Sequence, residues 1–321
     1  MPQPEPSGPQ TPSLDIITVN WNSGDQLRRC LASLPTEPAG FVIQRVVVVD
    51  NASTDHSLLG LSELALPLLL IPNAENKGFA AACNIGAAGS AADYLLFLNP
   101  DTLLNGDSLA EPIAYLERPV NRDVGVCSIR LVDDLGVPAR TCTRLPTPPH
   151  FAVKIFGLDR LWPSRFPSHF MNEWDHGDSR DVDHVMGAFY LIRRPLFRAL
   201  CGFDERFFVY LEDLDLSLRV HSAGYRVHFL ASASAYHKGG GTSEQAKSAR
   251  LAYSLRSRIL YGFKHFRRSS AILLMAATLV LEPFTRLAFA VVRRSPSLLM
   301  ETLGGFATLW TSGPPWRSGR R

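Results

Sequence analysis

The pattern of apolar and polar positions changes character near residue 249. Before that point, short β-branched runs alternate with amphipathic stretches. LDIITVNW (14–21) predicts a strand and GDQLRRCLASL (24–34) an amphipathic helix. RVVVVDN (45–51) is almost continuously apolar, as expected of a strand buried on both faces. LPLLLIPN (66–73) predicts a third strand, GFAAACNIGAAGS (78–90) a small-residue helix, and YLLFLNPD (94–101) another buried strand. GAFYLIRR (187–194) and YRVHFLA (225–231) predict strands flanking an acidic helix. Strands and helices alternating at this length imply an α/β fold with a mostly parallel sheet covered by helices. After Ala249 only helical patterns remain. AILLMAATLVL (271–281) is interrupted by Glu282-Pro283, and FTRLAFAVV (284–292) follows. Neither piece reaches the roughly 20 residues that cross a bilayer, and a span through Glu282 and Arg286 would be costly. The expectation is a helical hairpin lying in the membrane interface, anchored by Arg267, Arg268, Arg293 and Arg294.

Charge supports that division. The net charge of the 321 residues is +3, but Met1–Lys238 carries 20 Lys and Arg against 27 Asp and Glu, while Gly239–Arg321 carries 13 against 3. A basic C-terminal segment points to an anionic partner. Its apolar runs suit a membrane surface better than nucleic acid, and it holds no RNA-recognition motif. An ordinary helical subdomain, or burial in a homodimer, would also cover such runs. The opening MPQPEPSGPQTP, with five prolines and no apolar run, predicts a disordered tail rather than a signal peptide. Five cysteines without a CxxC pair argue against a disulfide framework or a structural zinc site, and for a cytoplasmic setting.

Candidate chemistry sits at strand ends, where parallel sheets bind ligands. The first strand runs into Asn20, the second into Asp50 and the fourth into Asn99 and Asp101. No G-x-G-x-x-G follows the first strand and no phosphate-binding G-x-x-x-x-G-K-[ST] occurs, which disfavours the common nucleotide sites. Asp101 suits a hard divalent cation that also holds substrate phosphates, such as Mg²⁺ or Mn²⁺. YHKGGGTS (236–243) adds His237 before a flexible glycine run. In FFVYLEDLDLSLR (207–219), Phe208, Leu211, Leu214 and Leu218 form one helix face, and Glu212, Asp215 and Arg219 form a solvent face. Asp213 falls between the two.

ITVNWNS, VVVVDNASTD, NAENKGFAAACNIG, LLFLNPD, the stretch from GAFYLIRR through LEDLDLSLR to GYRV, and AYHKGGGTS occur in the order seen in family 2 inverting glycosyltransferases. Across residues 14–243 the chain resembles their bacterial rhamnosyltransferase branch. That resemblance implies a GT-A fold in which Asp50 contacts the base of the donor nucleotide. Asn20, Lys77, Gly78, Asn84 and Asn99 line the donor, and Asp101 and His237 hold the metal. Asp213 is the implied catalytic base, assisted by Glu212. Glu212, Asp215, Gly187 and Ala188 would position the acceptor. His184 departs from the aromatic residue many relatives place before the Gly187-Ala188 pair.

The expected organisation is a tail (1–13), a GT-A catalytic domain (14–243) and a basic helical segment (244–321). The expected reaction moves a sugar from a nucleotide donor, dTDP-L-rhamnose, to a polyprenyl-diphosphate-linked saccharide at the inner face of the cell membrane. The alternatives are a UDP-hexose or UDP-galactofuranose donor, or a nucleotide-sugar-binding protein without turnover.

Overall fold

The computed structural model describes residues 11–239 and 247–312. Most of the proline-rich tail, and the glycine run beyond Gly239, lie outside the described residues. Four parallel strands open the fold: β1 (Ser13–Asn20), β2 (Val42–Asp50), β3 (Leu68–Pro72) and β4 (Tyr94–Leu98). Helices α1 (Asp25–Ala32) and α2 (Phe79–Ala87) cross between them. Alternate residues of each strand feed opposite cores. Ile16, Val46, Val48 and Leu96 pack with Leu27 and Leu31 of α1, while Ile17, Val47, Val49 and Phe97 pack against α2. Burial on both faces is why these strands read as continuous apolar runs.

The second half inserts a mixed group beside β4. It comprises β5 (Thr102–Leu104), α3 (Ala110–Glu117), β6 (Val124–Val132), β7 (Cys142–Thr143), α4 (Pro148–Ile155), α5 (Leu158–Leu161), β8 (Arg180–Val182), β9 (His184–Val185), β10 (Phe189–Arg193), α6 (Arg194–Ala199), α7 (Glu212–Ser222) and β11 (Arg226–His237). The main sheet runs β3-β2-β1-β4-β10-β6-β11-β5, with β8 on β11 and a separate β7–β9 pair. Strand β10 is antiparallel to β4 and β6, and β11 is parallel to β6. The carboxyl ends of β1, β2, β4, β6 and β11 and the amino end of β10 therefore share one edge. Each expected strand is present; the central β6, VGVCSIRLV, is not among those expected, because Gly125, Ser128 and Arg130 break its apolar run. Gly125 is required there, since a Cβ would lie 2.4 Å from Leu196 Cδ2.

The C-terminal helices are α8 (Lys247–His265), α9 (Arg268–Ala276), α10 (Glu282–Val292) and α11 (Pro296–Thr311). The expected break at Glu282-Pro283 does not form. A π-helical turn at Ala277–Leu281 joins α9 to α10 in one helix, Arg268–Val292. Pro283 sits at the start of α10, where its missing N–H and its ring are accommodated by the wider turn. By length and composition this helix could cross a membrane, yet it touches the catalytic domain along its length. Leu274 and Ala277 join a core with Phe151, Phe207, Leu214 and Tyr261, Thr285 Oγ1 donates to the Ile155 carbonyl at 2.8 Å, and the Arg160 guanidinium stacks over Phe289 at 4.8 Å. Buried Glu282 is paired by Arg258 of α8 and Arg286. The helix lies flat on the domain and packs with α8 and α11, not as a two-piece hairpin. Helix α8 itself shares its core with α7.

Candidate active site

At the ends of β1 and β2, Asp50 is buried in a hydroxyl and amide cage. Its Oδ1 accepts from Asn20 Nδ2 at 2.8 Å and Ser53 Oγ at 2.6 Å, and its Oδ2 from the Ser53 backbone N–H at 3.1 Å. Asn20 is held in turn by donating to Ser57 Oγ and accepting from Ser23 Oγ. Ala52 adopts a left-handed φ of 58° to make this turn. Beside it, Asn51 Nδ2 donates to the Gly78 carbonyl at 3.1 Å. Gly78 has φ 85° and ψ 172°, a region essentially reserved for glycine, and a Cβ there would lie 2.3 Å from the Phe208 carbonyl. Lys77 precedes it on an exposed loop.

Asp101 lies between β4 and β5. The antiparallel β5–β11 pair sets His237 opposite Thr102, so His237 Nε2 lies 3.3 Å from Asp101 Oδ1 with both side chains buried. Among the described residues Nε2 has no hydrogen-bond partner, although a buried imidazole nitrogen ordinarily finds one. A divalent cation fits that pairing, with one carboxylate, one imidazole and the remaining positions left to phosphate and water. No third His, Cys, Asp or Glu joins the pair among the described residues.

Asp213 stands at the start of α7. Its Oδ2 accepts from the Gly187 N–H at 2.8 Å and its Oδ1 from the Leu214 N–H at 2.8 Å. The neighbouring Ala188 carbonyl accepts from the Asn99 N–H at 3.0 Å. One dipeptide thus joins the Asn99-Pro100-Asp101 turn to the acidic helix. Just before α7, Tyr210 and Leu211 have φ of 70° and 65°, two consecutive non-glycine residues in the left-handed region. Such strain persists only where surrounding structure imposes it, and it concentrates at functional sites.

His184 is a site residue that the sequence marks only as a departure from a pattern. Its Nε2 lies 3.8 Å from Asp213 Oδ2, and its Nδ1 meets Ser217 Oγ at 3.0 Å, which also pairs with Tyr190 Oη. Burial pushes His184 below the ordinary imidazole range, against the pull of Asp213. Only folding brings these residues together, so no local motif could have announced them.

Three expectations are corrected. The face of α7 expected to meet solvent is inside. Asp215 is fully buried, paired with Arg219, Lys264 and His265, so it ties α7 to α8 and has no surface to offer an acceptor. Burial works against its ionisation, but His265, Arg219 and Lys264 more than offset that and hold the carboxyl below its usual range. Glu212 is also buried. Burial, then the Asp213 carboxylate, hold it well above the usual carboxylate range, and its Oε2 has no hydrogen-bond partner among the described residues. It packs toward α2, where burial and then these two carboxylates push the Cys83 thiol up. Finally, the Asn84 amide is committed to the backbone of Phe203 and to Glu205, clamping the loop ahead of α7 rather than facing the sheet edge.

Residues 15–199 match the family described as Glycosyl transferase family 2, and residues 159–318 match Glycosyl transferase family group 2. The chain is 28% identical over 269 residues to an N-acetylglucosaminyl-diphospho-decaprenol L-rhamnosyltransferase of Mycobacterium tuberculosis, covering 79% of this chain and 86% of that protein. It is 29% identical over 170 residues to the rhamnosyltransferase WbbL of Escherichia coli, covering 53% and 61%. Its backbone resembles the mannosyltransferase PcManGT of Pyrobaculum calidifontis, solved with GDP-Man and Mn²⁺, with a TM-score of 0.57, 16% identity and coverage of 95% and 88%. It also resembles Staphylococcus aureus TarS with UDP-GlcNAc, with a TM-score of 0.52, 15% identity and coverage of 92% and 81%. Fold, sheet-edge site and family match agree: the chain belongs to glycosyl transferase family 2 and has a GT-A-type fold.

Proposed function

We propose that this glycosyltransferase moves L-rhamnose from dTDP-L-rhamnose to a saccharide on polyprenyl diphosphate, with inversion, in the synthesis of a cell-wall or surface polysaccharide. The observation that carries the reading is the Gly187-Ala188 dipeptide, which ties the Asp101 turn to Asp213 through two backbone hydrogen bonds. A shared backbone connection between the Asp101 turn and Asp213 supports a reading in which the first serves the donor phosphates and the second the acceptor hydroxyl. The named activities of the two rhamnosyltransferase relatives supply the sugar and the lipid-linked acceptor class.

In this mechanism Asn20 and Ser53 orient Asp50 to receive the donor base. Asp101 and His237 would hold Mg²⁺ or Mn²⁺, which when bound neutralises the charge developing on the departing nucleoside diphosphate. Asp213 accepts the proton of the attacking acceptor hydroxyl at a carboxylate oxygen, while the Gly187 N–H fixes its orientation. His184, braced by Ser217, packs beside that carboxylate, whose oxygens are held by the Gly187 and Leu214 N–H groups. A single displacement with one remote base accounts for inversion.

The enzyme works at the cytoplasmic membrane surface in this reading. Leu273, Phe284, Val291 and Val292 are exposed along the Arg268–Val292 helix. Phe156, Leu161 and Trp162, beside α10 in the fold, extend the apolar surface from the catalytic domain. Arg267, Arg268, Arg293 and Arg294 bracket it, the pattern of a helix lying in an anionic interface.

A thermal-shift screen of dTDP- and UDP-sugars with Mn²⁺ tests the donor, since a ligand bound only by the folded state raises the melting point. dTDP-L-rhamnose should give the largest shift and be consumed with a lipid-linked N-acetylglucosamine acceptor. A larger shift and transfer with a UDP-sugar would replace the donor assignment.

A further inference from the structure

We propose that the cavity between the catalytic loop and the C-terminal helices is a binding subsite for the diphosphate of the lipid-linked acceptor. The inference rests on the acceptor class proposed above. The cavity has a volume of about 380 Å³ and is lined by Tyr210, Lys247, Arg250, Ser254, Arg286 and Glu301.

Three cations face one carboxylate there. Arg250 Nε donates to Tyr210 Oη at 3.2 Å, and Arg286 Nε donates to Glu282 at 2.9 Å. Both guanidinium groups are thereby oriented through Nε, with their terminal nitrogens left over. Among the described residues, neither Lys247 nor Arg250 has a carboxylate partner, and Arg286 is paired with Glu282 through its Nε. Forked guanidinium donors beside an ammonium match the oxygens of a diphosphate.

Position supports the same ligand. One wall is Tyr210, which enters the strained Tyr210–Leu211 turn immediately ahead of Glu212 and Asp213. The opposite wall is Arg286 of α10 and Glu301 of α11, helices whose outer surfaces expose Phe284, Met300 and Leu303. Along the chain, Tyr210 joins the cavity to the catalytic carboxylate three residues later, and Arg286 and Glu301 join it to helices with exposed apolar side chains. An acceptor joins its groups likewise: saccharide hydroxyl, diphosphate, lipid. The donor diphosphate has its own seat at Asp101 and His237.

The test uses the full-length chain, calorimetry, and three probes: a short-chain isoprenyl diphosphate, the matching isoprenyl alcohol, and dTDP with Mn²⁺. The diphosphate should bind and the alcohol should not. In a Lys247→Gln/Arg250→Gln double variant, isoprenyl-diphosphate affinity and acceptor KM should worsen by roughly tenfold or more, the scale for losing hydrogen bonds to charged groups. Affinity for dTDP with Mn²⁺ should not change, and Arg250→Lys should recover part of the loss. Equal weakening of dTDP binding would assign the cavity to the donor and overturn the proposal. Reduced sedimentation with phosphatidylglycerol vesicles at unchanged isoprenyl-diphosphate affinity would make it a headgroup site and also overturn it. Wild-type protein that binds the isoprenyl diphosphate yet transfers nothing to lipid-linked saccharide would count against the acceptor assignment alone. Transfer with an unchanged acceptor KM in the double variant would count against the cavity alone.

Discussion

His237 Nε2 lies 3.3 Å from Asp101 Oδ1 because β11 pairs antiparallel with β5, setting a residue near the end of the catalytic domain against a turn in its first half. Asp101→Ala and His237→Ala should each reduce Mn²⁺-dependent dTDP binding by roughly tenfold or more, since losing even a group that only supports a metal's ligands costs about that much. Binding without metal should stay as in the wild type. Calorimetry with and without Mn²⁺ measures both, and an undiminished metal enhancement in either variant would displace the site.

Asp213→Asn keeps an acceptor oxygen for the Gly187 N–H but turns its NH2 toward the Leu214 N–H, so the variant keeps one of the two backbone hydrogen bonds. It removes the proton-accepting carboxylate, and kcat should fall roughly a hundredfold or more. Donor affinity should stay close to wild type, with the melting temperature lowered only by the few degrees that one lost hydrogen bond costs. Turnover within a few-fold of normal would move the base elsewhere.

Glu212→Gln should stabilise the protein. The folded-state carboxyl is held above its unfolded value, so the native state binds more protons and wild-type stability falls as pH rises above the unfolded carboxylate range. The amide keeps the shape and removes the charge. A buried polar atom stays unpartnered in the amide, so the gain comes only from removing the pH-linked cost of the raised carboxyl and shows as a higher melting temperature above the unfolded carboxylate range. Melts from pH 5 to 8 should show the variant's advantage widening with pH, and a constant or shrinking gap contradicts the assignment. Activity should drop as well, since Glu212 adjoins the base.

Leu273→Ser with Phe284→Ser, both on the exposed face, should weaken sedimentation with anionic vesicles at every salt concentration. Replacing Arg267, Arg268, Arg293 and Arg294 by Gln should weaken it mainly at low salt, by about 1 kcal/mol per charge, because that attraction is screened. Full-length protein that stays in the supernatant with anionic vesicles removes the membrane reading. Truncation after Phe266 is a poorer test. It strips Leu274 from the core shared with Phe207 and Leu214 and leaves Arg258 buried without Glu282, a loss of about 3–5 kcal/mol.

The acidic helix shows where sequence reading stops. Asp213 stood out because it fell between two faces, and the structure gives it a backbone donor at each carboxylate oxygen. Glu212 and Asp215 read as solvent-facing because helical periodicity records only which residues share a side. What lies on that side is α8, whose Lys264 and His265 arrive from beyond the expected domain boundary. Similarly, Glu282-Pro283 reads as a helix break by local propensity. Arg258 and Arg286 neutralise the glutamate, and a π-turn absorbs the proline.

By itself, the sequence determined the parallel half of the sheet and its polar carboxyl edge, and it singled out Asp50, Asp101, Asp213 and His237 as candidates. Strands buried on both faces, and strand-end polar residues, leave local signatures that need no partner to be read. Only the tertiary structure decided that β6 and β10 complete the sheet, that His184 faces Asp213, and that Asp215 belongs to the interior. Those outcomes depend on pairings between distant segments, whose energies come from burial and charge compensation that no single stretch of chain contains.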